Sequence, residues 1–257
     1  MKRDYHIIWH RTIDSTNSEA ARHISDIDNL SVIAAVEQTA GRGQRGNRWT
    51  ADAGENLTFS VVIRPGSDGI PPVAASGQFV ISEIAALAVS GYLETKGIGS
   101  KIKWPNDIYC SDRKICGILI ENCISGGLLK WSIVGTGINL AQTVFPSDVP
   151  NPTSVKRETG MEFLPESELP IYLEKLDALL DILALPDGEA IIRRMYLERM
   201  YRRGERHLYS SAKDGLFYAE ITGIAADGCL EVKTDDGRTG EFAFKEIKYV
   251  IDERVTP

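Results

Sequence analysis

Glycine and arginine alternate through the stretch Gln38-Thr-Ala-Gly-Arg-Gly-Gln-Arg-Gly-Asn-Arg-Trp49. Gly41, Gly43 and Gly46 let the backbone take positive φ and approach a ligand closely. Arg42, Arg45 and Arg48 add permanent cations whose planar forks match phosphate or carboxylate. Such a loop suits the binding of an anion. A solvated Arg/Gly turn, touching RNA at most, has the same composition, and on local grounds both readings stand. A second polar group, Lys103-Trp-Pro-Asn-Asp107, sets a lysine in an alternating strand just before a polar interruption. Lys103 either faces the same anion as the arginines or is an exposed lysine ahead of a turn. In a third, Asp14-Ser-Thr-Asn17, Thr16 and Glu19 spell a capping box, which by itself explains the hydroxyls. A helix N-terminus also offers free N–H groups to a neighbouring ligand, and both roles are compatible.

Two standard phosphate motifs are excluded by context. Gly41-Arg-Gly-Gln-Arg-Gly46 matches the dinucleotide pattern G-x-G-x-x-G and follows an apolar strand candidate at 32–36, but residues 47–54 do not open an amphipathic helix. No acidic residue ends a second strand near 61–63 either. A Walker loop needs Lys and then Ser or Thr after its last glycine, where this chain has Asn47 and Arg48.

The 257 residues suit one large domain or one with a small companion. A 43% hydrophobic and 25% charged composition is that of an ordinary globular protein. A net charge of -7 argues against a general nucleic-acid binder, so the basic loop is a local exception that favours a small anionic ligand. Cys110, Cys116, Cys123 and Cys229 form no C-x-x-C pair and read as reduced packing residues. His6 and His10 lack the glutamate of a zinc helix, and no protein-only metal site is expected. The N-terminus carries no signal peptide, and no apolar run reaches membrane-spanning length. A cytoplasmic protein without membrane contact is expected.

These groups need elements to position them. Residues 5–9 read as a strand, followed by the helix opening near Thr16. Strands at 32–37 and 56–64 flank the glycine/arginine loop. Pro71-Pro72 starts a long apolar segment, 73–96, closed by Gly97, which reads as the main core helix. Residues 115–121 return as a buried strand, Gly126-Gly127 turns the chain, and 129–134 leads into Gly135-Thr-Gly-Ile-Asn139. Those small residues admit a ligand or neighbouring backbone, or mark a simple bulge. After a loop at 146–152, helical patterns at 169–183 and 189–200 read as packing helices. From Gly204, β-rich runs at 216–221, 230–234 and 239–244 alternate with Asp-Gly turns, the texture of a small β-barrel.

Taken together, Asp14-Ser-Thr-Asn17, Gln38-Thr-Ala-Gly-Arg-Gly43 with Trp49, Lys103-Trp-Pro-Asn-Asp107, Lys114 with Gly117-Ile-Leu-Ile-Glu121, and Gly135-Thr-Gly-Ile-Asn139 resemble, in order, the motifs of the biotin protein ligases. The resemblance covers residues from about Thr12 to Met200. It implies an α+β fold: a mixed, largely antiparallel sheet flanked by helices, with a small C-terminal SH3-like β-barrel. The domains would be 1–203 and 204–257. The implied reaction joins biotin and MgATP into biotinyl-5′-AMP, then passes biotin to a lysine of a biotin carboxyl carrier domain, by family expectation that of acetyl-CoA carboxylase. ATP and Mg²⁺ are the implied cofactors.

By that resemblance, Lys103 and Arg42 are catalytic. Ser15, Thr16, Asn17, Gln38, Gly41, Arg42, Gly43, Gln44 and Lys103 surround biotin, with Gly117, Gly135 and Gly137 closing on its rings. Arg45, Arg48, Trp49, Asn106, Lys114 and Asn139 meet ATP or the adenylate, Trp49 by stacking on adenine. The chain departs from the family at Gln44, where arginine is common at a position associated with retaining the adenylate. Too few residues precede the first strands for the DNA-binding domain of some members, so no DNA partner is expected. A homodimer is possible. The rival readings are a lipoate ligase, which shares fold and chemistry, and a non-catalytic binding module.

Overall fold

The computed structural model describes residues 3–147 and 149–251, with the Arg45 side chain outside the described residues. In chain order the elements are β1 (His6–Ile13), α1 (Thr16–Arg22), β2 (Ser31–Gln38), β3 (Asn56–Ile63), α2 (Phe79–Glu94), β4 (Lys101–Lys103), β5 (Asp107–Cys110), β6 (Arg113–Ser125), β7 (Leu128–Asn139), α3 (Val155–Thr159), α4 (Pro165–Leu183), α5 (Gly188–Arg199), β8 (Arg206–Ser211), β9 (Gly215–Ile224), β10 (Leu230–Thr234), β11 (Thr239–Phe242) and β12 (Ile247–Tyr249).

The first seven strands make one sheet in the order β1-β2-β3-β7-β6-β5-β4. Only β1 and β2 run parallel, so the sheet is mixed and largely antiparallel, as expected. Its two faces differ because strand side chains alternate. One face, with Phe59 and Val61, packs on the helical layer, where Phe59 meets Tyr172 of α4 edge-on at 4.7 Å. On the other, Ile33, Val62 and Ile133 pack against Ala20 of the short α1. Beyond α1 that second face carries the loop that follows β2, with the Trp49 ring over Gly117 and Gly137.

Four expectations on local structure are corrected. The core helix starts at Phe79, because Ala74 is extended and its neighbours Val73 and Ala75 bond the β6–β7 turn through Leu129 N→Val73 O and Ala75 N→Gly127 O, both 2.9 Å, ahead of a 3₁₀ turn at Ala75–Gly77. Together with the preceding 3₁₀ turn, 75–94 is apolar enough to cross a membrane by length and composition, contrary to the sequence reading, but 67% of it is buried as in a core helix. β7 does not stop before its glycines: it runs through them to Asn139, held by ladders to β3 on one side and β6 on the other. The capping box is absent, since Ser15 stands at the N-cap with no side-chain cap and Glu19 turns to Arg22.

The C-terminal runs form a five-stranded antiparallel sheet, β11-β10-β9-β8-β12. Among the described residues it is open, with β11 and β12 unpaired at its edges, so closure into a barrel is not part of the described fold. It is joined firmly to the larger sheet. Trp104 Nε1 donates to Gly228 O at 2.9 Å, and Arg193 of α5 donates to Ile224 O at 3.0 Å and Ala225 O at 3.2 Å.

Candidate active site

Strand register explains how residues distant in sequence meet. Lys103 pairs with Asp107, Asp107 with Gly117, Gly117 with Gly137, and Gly137 with Thr58. Residues directly opposed on neighbouring strands share a face, so these five form one row. A second row beside it runs Leu119–Gly135–Ser60. Both lie on the α1 side. Where the rows carry glycine the sheet surface is hollow, and it is edged by the polar Thr58, Ser60, Asp107 and Lys103.

The glycine/arginine loop folds back over this hollow as a small hairpin, with Arg42 bridged to Arg48 and Trp49 N donating to Gly41 O at 3.0 Å. A Cβ on Gly41 would overlap the Trp49 carbonyl, so that approach requires glycine. Gly46, at φ 86°, supplies the left-handed residue of the turn at 44–46. Trp49 reaches the hollow itself. A Cβ on Gly117 would lie 3.0 Å from its ring and one on Gly137 would collide with it. The Trp49 indole N–H and the Gln44 amide oxygen are both enclosed without a hydrogen-bond partner. Arg48 is exposed.

The start of α1 closes the other end. Thr16 N donates to Gln38 Oε1 at 2.8 Å. Ser60 Oγ lies 2.7 Å from Thr16 Oγ1 and 2.6 Å from Asn17 Oδ1. An amide oxygen only accepts, so Ser60 donates to Asn17 and the Thr16 hydroxyl donates to Ser60. Asn17 Nδ2 then donates to Glu121 Oε2 at 2.9 Å, and Gly135 leaves the room that the Asn17 side chain fills. Glu121 also pairs with Arg42, Nη2 to Oε1, at 2.7 Å. Ser15, Thr16 and Asn17 are each at most 4% exposed, so they stand inside the fold and not on its surface.

At the opposite end, the Lys103 ammonium lies 3.3 Å from the Tyr109 hydroxyl, and burial holds its pKa below the usual lysine value. Lys114 pairs with Asp107 at 2.6 Å, with its ammonium 6.0 Å from the Trp49 ring centre. Asn106 donates to Ile118 O, and Asn139 donates to Thr153 O at 2.8 Å. Both amides therefore fix backbone beside the hollow. The sequence-derived site residues whose side chains are described lie in the loop, at the start of α1 or on strands of the larger sheet, apart from Asn106, which lies in the turn between β4 and β5.

Sequence reasoning passed over Ser60, Thr58 and Asp107 as site members and named Glu121 only within a motif. A usable signal existed for two of them. In Asn56-Leu-Thr-Phe-Ser-Val, polar residues alternate with large apolar ones, so Thr58 and Ser60 share the face opposite Phe59.

An arrangement with cations at both ends of a glycine-floored hollow suits anionic reactants, a chemistry that carboxylate-activating ligases share. Sequence comparison narrows that class. Residues 9–139 match the Biotin/lipoate A/B protein ligase family, and the chain belongs to it. It is 33% identical over 236 residues to a biotin–[acetyl-CoA-carboxylase] ligase of Paracoccus denitrificans, spanning 88% of this chain and 93% of that protein. It is 27% identical to the bifunctional ligase/repressor BirA of Bacillus subtilis, over 90% of this chain and 70% of the relative. A biotin protein ligase from Aquifex aeolicus, solved with biotin and ATP, shares the fold with a TM-score of 0.77 at 24% identity, covering 95% and 99% of the two chains.

Proposed function

We propose that the chain is an ATP-dependent biotin protein ligase. It joins biotin and MgATP into biotinyl-5′-AMP, then transfers biotin to one lysine of a biotin carboxyl carrier domain. The observation that carries this reading is the row Lys103–Asp107–Gly117–Gly137–Thr58 under the Arg42 loop. Gly117 and Gly137 carry the Trp49 ring, so room for fused rings opens as that ring moves aside, and the cations flank where a carboxylate would meet a phosphate.

In the first step a biotin carboxylate oxygen attacks the α-phosphorus, and the bond to the bridging oxygen breaks as pyrophosphate leaves. Both reactants are anionic, so Lys103, joined by Arg42 once it exchanges Glu121 for the incoming anion, screens their repulsion and stabilises the charge that builds in the transition state. In the second step the neutral amine of the carrier lysine attacks the acyl carbon. AMP departs with the former carboxylate oxygen and the amine loses a proton. Among the described residues no group of three or more His, Cys, Asp or Glu is placed to hold a metal ion. In this reading Mg²⁺ enters on the phosphates of MgATP, as part of the substrate.

Ser15, Thr16, Asn17 and Gln38 hold the polar biotin head, and Trp49 with Lys114 faces the nucleotide. Residues 204–257 are read as an SH3-like unit. The acidic net charge of -7 favours a protein partner over DNA. Free cysteines at 110, 116, 123 and 229 fit a reducing cytoplasm. The outer edge of β1, unpaired among the described residues, offers a place for a second copy.

Acid-dependent ATP–pyrophosphate exchange, comparing biotin with lipoate in the absence of carrier, tests the reading. Exchange with biotin alone is expected, and Lys103→Ala is expected to abolish most of it while the fold persists. Exchange with lipoate alone would move the chain to that branch of the family, and none with either acid would favour a binding module.

A further inference from the structure

The C-terminal sheet enters the candidate active site through one side chain. Tyr249 of β12 lays its ring 5.0 Å from Lys103 Nζ, and Tyr109 of β5 lays its own 4.9 Å from the same atom. Two different sheets thus present aromatic rings to one ammonium. Tyr249 is fixed in turn by Tyr209, edge-on at 5.3 Å, and by Tyr201 at 6.1 Å, while Tyr201 stands 5.4 Å from Tyr109. Arg202 ties this cluster to the end of β12 by donating to Val250 O at 3.0 Å.

A lysine on its flexible stem has many positions open to it, and among the described residues Lys103 makes one long hydrogen bond, to Tyr109 at 3.3 Å. A ring face attracts an ammonium through its negative quadrupole without taking up an N–H donor. Held that way, Lys103 keeps its donors for the oxygens of carboxylate and phosphate. The other charged groups that act on it are Asp107, which favours its protonation, and Lys114 and Arg202, which oppose it.

We propose that Tyr249 is a positioning residue for adenylate formation, its ring holding the protonated Lys103 amine toward the glycine-floored hollow. The C-terminal sheet is then a wall of the active site. This rests on the reading of Lys103 as the cation that faces carboxylate and phosphate.

The test is biotin-dependent ATP–pyrophosphate exchange from neutral to strongly alkaline pH in the full chain, Tyr249→Leu and Tyr249→Phe. NMR titration of the Lys103 amine in the same proteins without substrate accompanies it. Tyr249→Leu is expected to lower kcat about tenfold with the biotin KM unchanged, and to move the alkaline limb to lower pH. Tyr249→Phe is expected to rescue both. Normal kcat and limb in Tyr249→Leu, or equal loss in both variants, would overturn the proposal. Should the leucine variant fail to fold, phenylalanine and its fluorinated analogues at position 249 keep the shape and grade the ring's negative face. A stepwise fall in kcat with fluorination supports the proposal, and a flat response overturns it. If the unaltered chain shows no exchange at all, the ligase reading fails separately. The NMR titration then decides: a lower Lys103 pKa in Tyr249→Leu supports the contact and an unchanged one sinks it.

Discussion

Arg42 and Glu121 are held in a two-point ion pair, with Nη2 2.7 Å from Oε1 and Nη1 3.2 Å from Oε2. The loop arginine therefore rests on a carboxylate of the protein, and an incoming anion competes with Glu121 for it. The competition is easy to win. The two side chains are 44% and 33% exposed, and pairs of that kind contribute less than about 1 kcal/mol. Arg42→Ala is thus expected to move the melting temperature by less than about 4 °C while lowering biotin-dependent exchange on the order of 10²–10³-fold. A normal exchange rate in a folded Arg42→Ala protein would remove Arg42 from the chemistry.

Trp49 occupies the space that Gly137 leaves, so the two positions are coupled. A Gly137→Ala methyl collides with the indole ring and is expected to expel it from the hollow. Overpacking of this kind costs about 1–3 kcal/mol. Trp49→Ala removes the obstacle, so the double variant is expected to regain the stability lost by Gly137→Ala alone, a coupling that a denaturation cycle measures. Strict additivity would mean that the ring does not sit on Gly137 in solution.

What the sequence made legible follows from residue type. Lys103, Gly117, Gly135 and Gly137 stood out because cations and glycine are rare in apolar strands, and Arg42 because it alternates with glycine in a loop between two such strands. α3 and β12 span five and three residues, too short for a period to register. Tyr249 was invisible for another reason. Its contact with Lys103 crosses from one sheet to another, and no periodicity reports a contact of that sequence separation. The start of α2 was misplaced because Val73 and Ala75 satisfy their backbone on a hairpin turn distant in the chain, a tertiary bond overriding local propensity.

Glu83 of α2 is 1% exposed and ion-paired with Arg193 of α5. Burial pushes its carboxyl from the ordinary 4.5 up to about 7, against the opposing pull of Arg193. Between those two values the unfolded chain has released the proton that the folded chain retains. Stability therefore falls as pH rises from about 4.5 to about 7, by on the order of 1–3 kcal/mol. Chemical denaturation across that window is expected to show the decline, and Glu83→Gln, which cannot ionise, is expected to flatten it. A Glu83→Gln profile that keeps the full slope would assign the decline to other groups.

Ser60 links the strand face to the start of α1, and its hydroxyl is the sole donor to Asn17 Oδ1 among the described hydrogen bonds. It is 0% exposed, so no water replaces it without rearrangement. Ser60→Ala leaves Asn17 Oδ1 without its donor and the Thr16 hydroxyl without its acceptor, a loss of about 1–3 kcal/mol. The thiol of Ser60→Cys, a weak donor and acceptor, is expected to fall between the alanine variant and serine in thermal melts. The functional consequence separates structure from chemistry. Thr16 and Asn17 lie at the end of the hollow away from Lys103, where the biotin head is proposed to bind. Their disorder should raise the biotin KM while leaving kcat and the ATP KM close to normal, the signature of an interaction made equally in ground and transition states. A Ser60→Ala protein that loses kcat instead, with biotin KM unchanged, would place this hydroxyl chain at the reacting atoms and reverse the orientation proposed for biotin in the site.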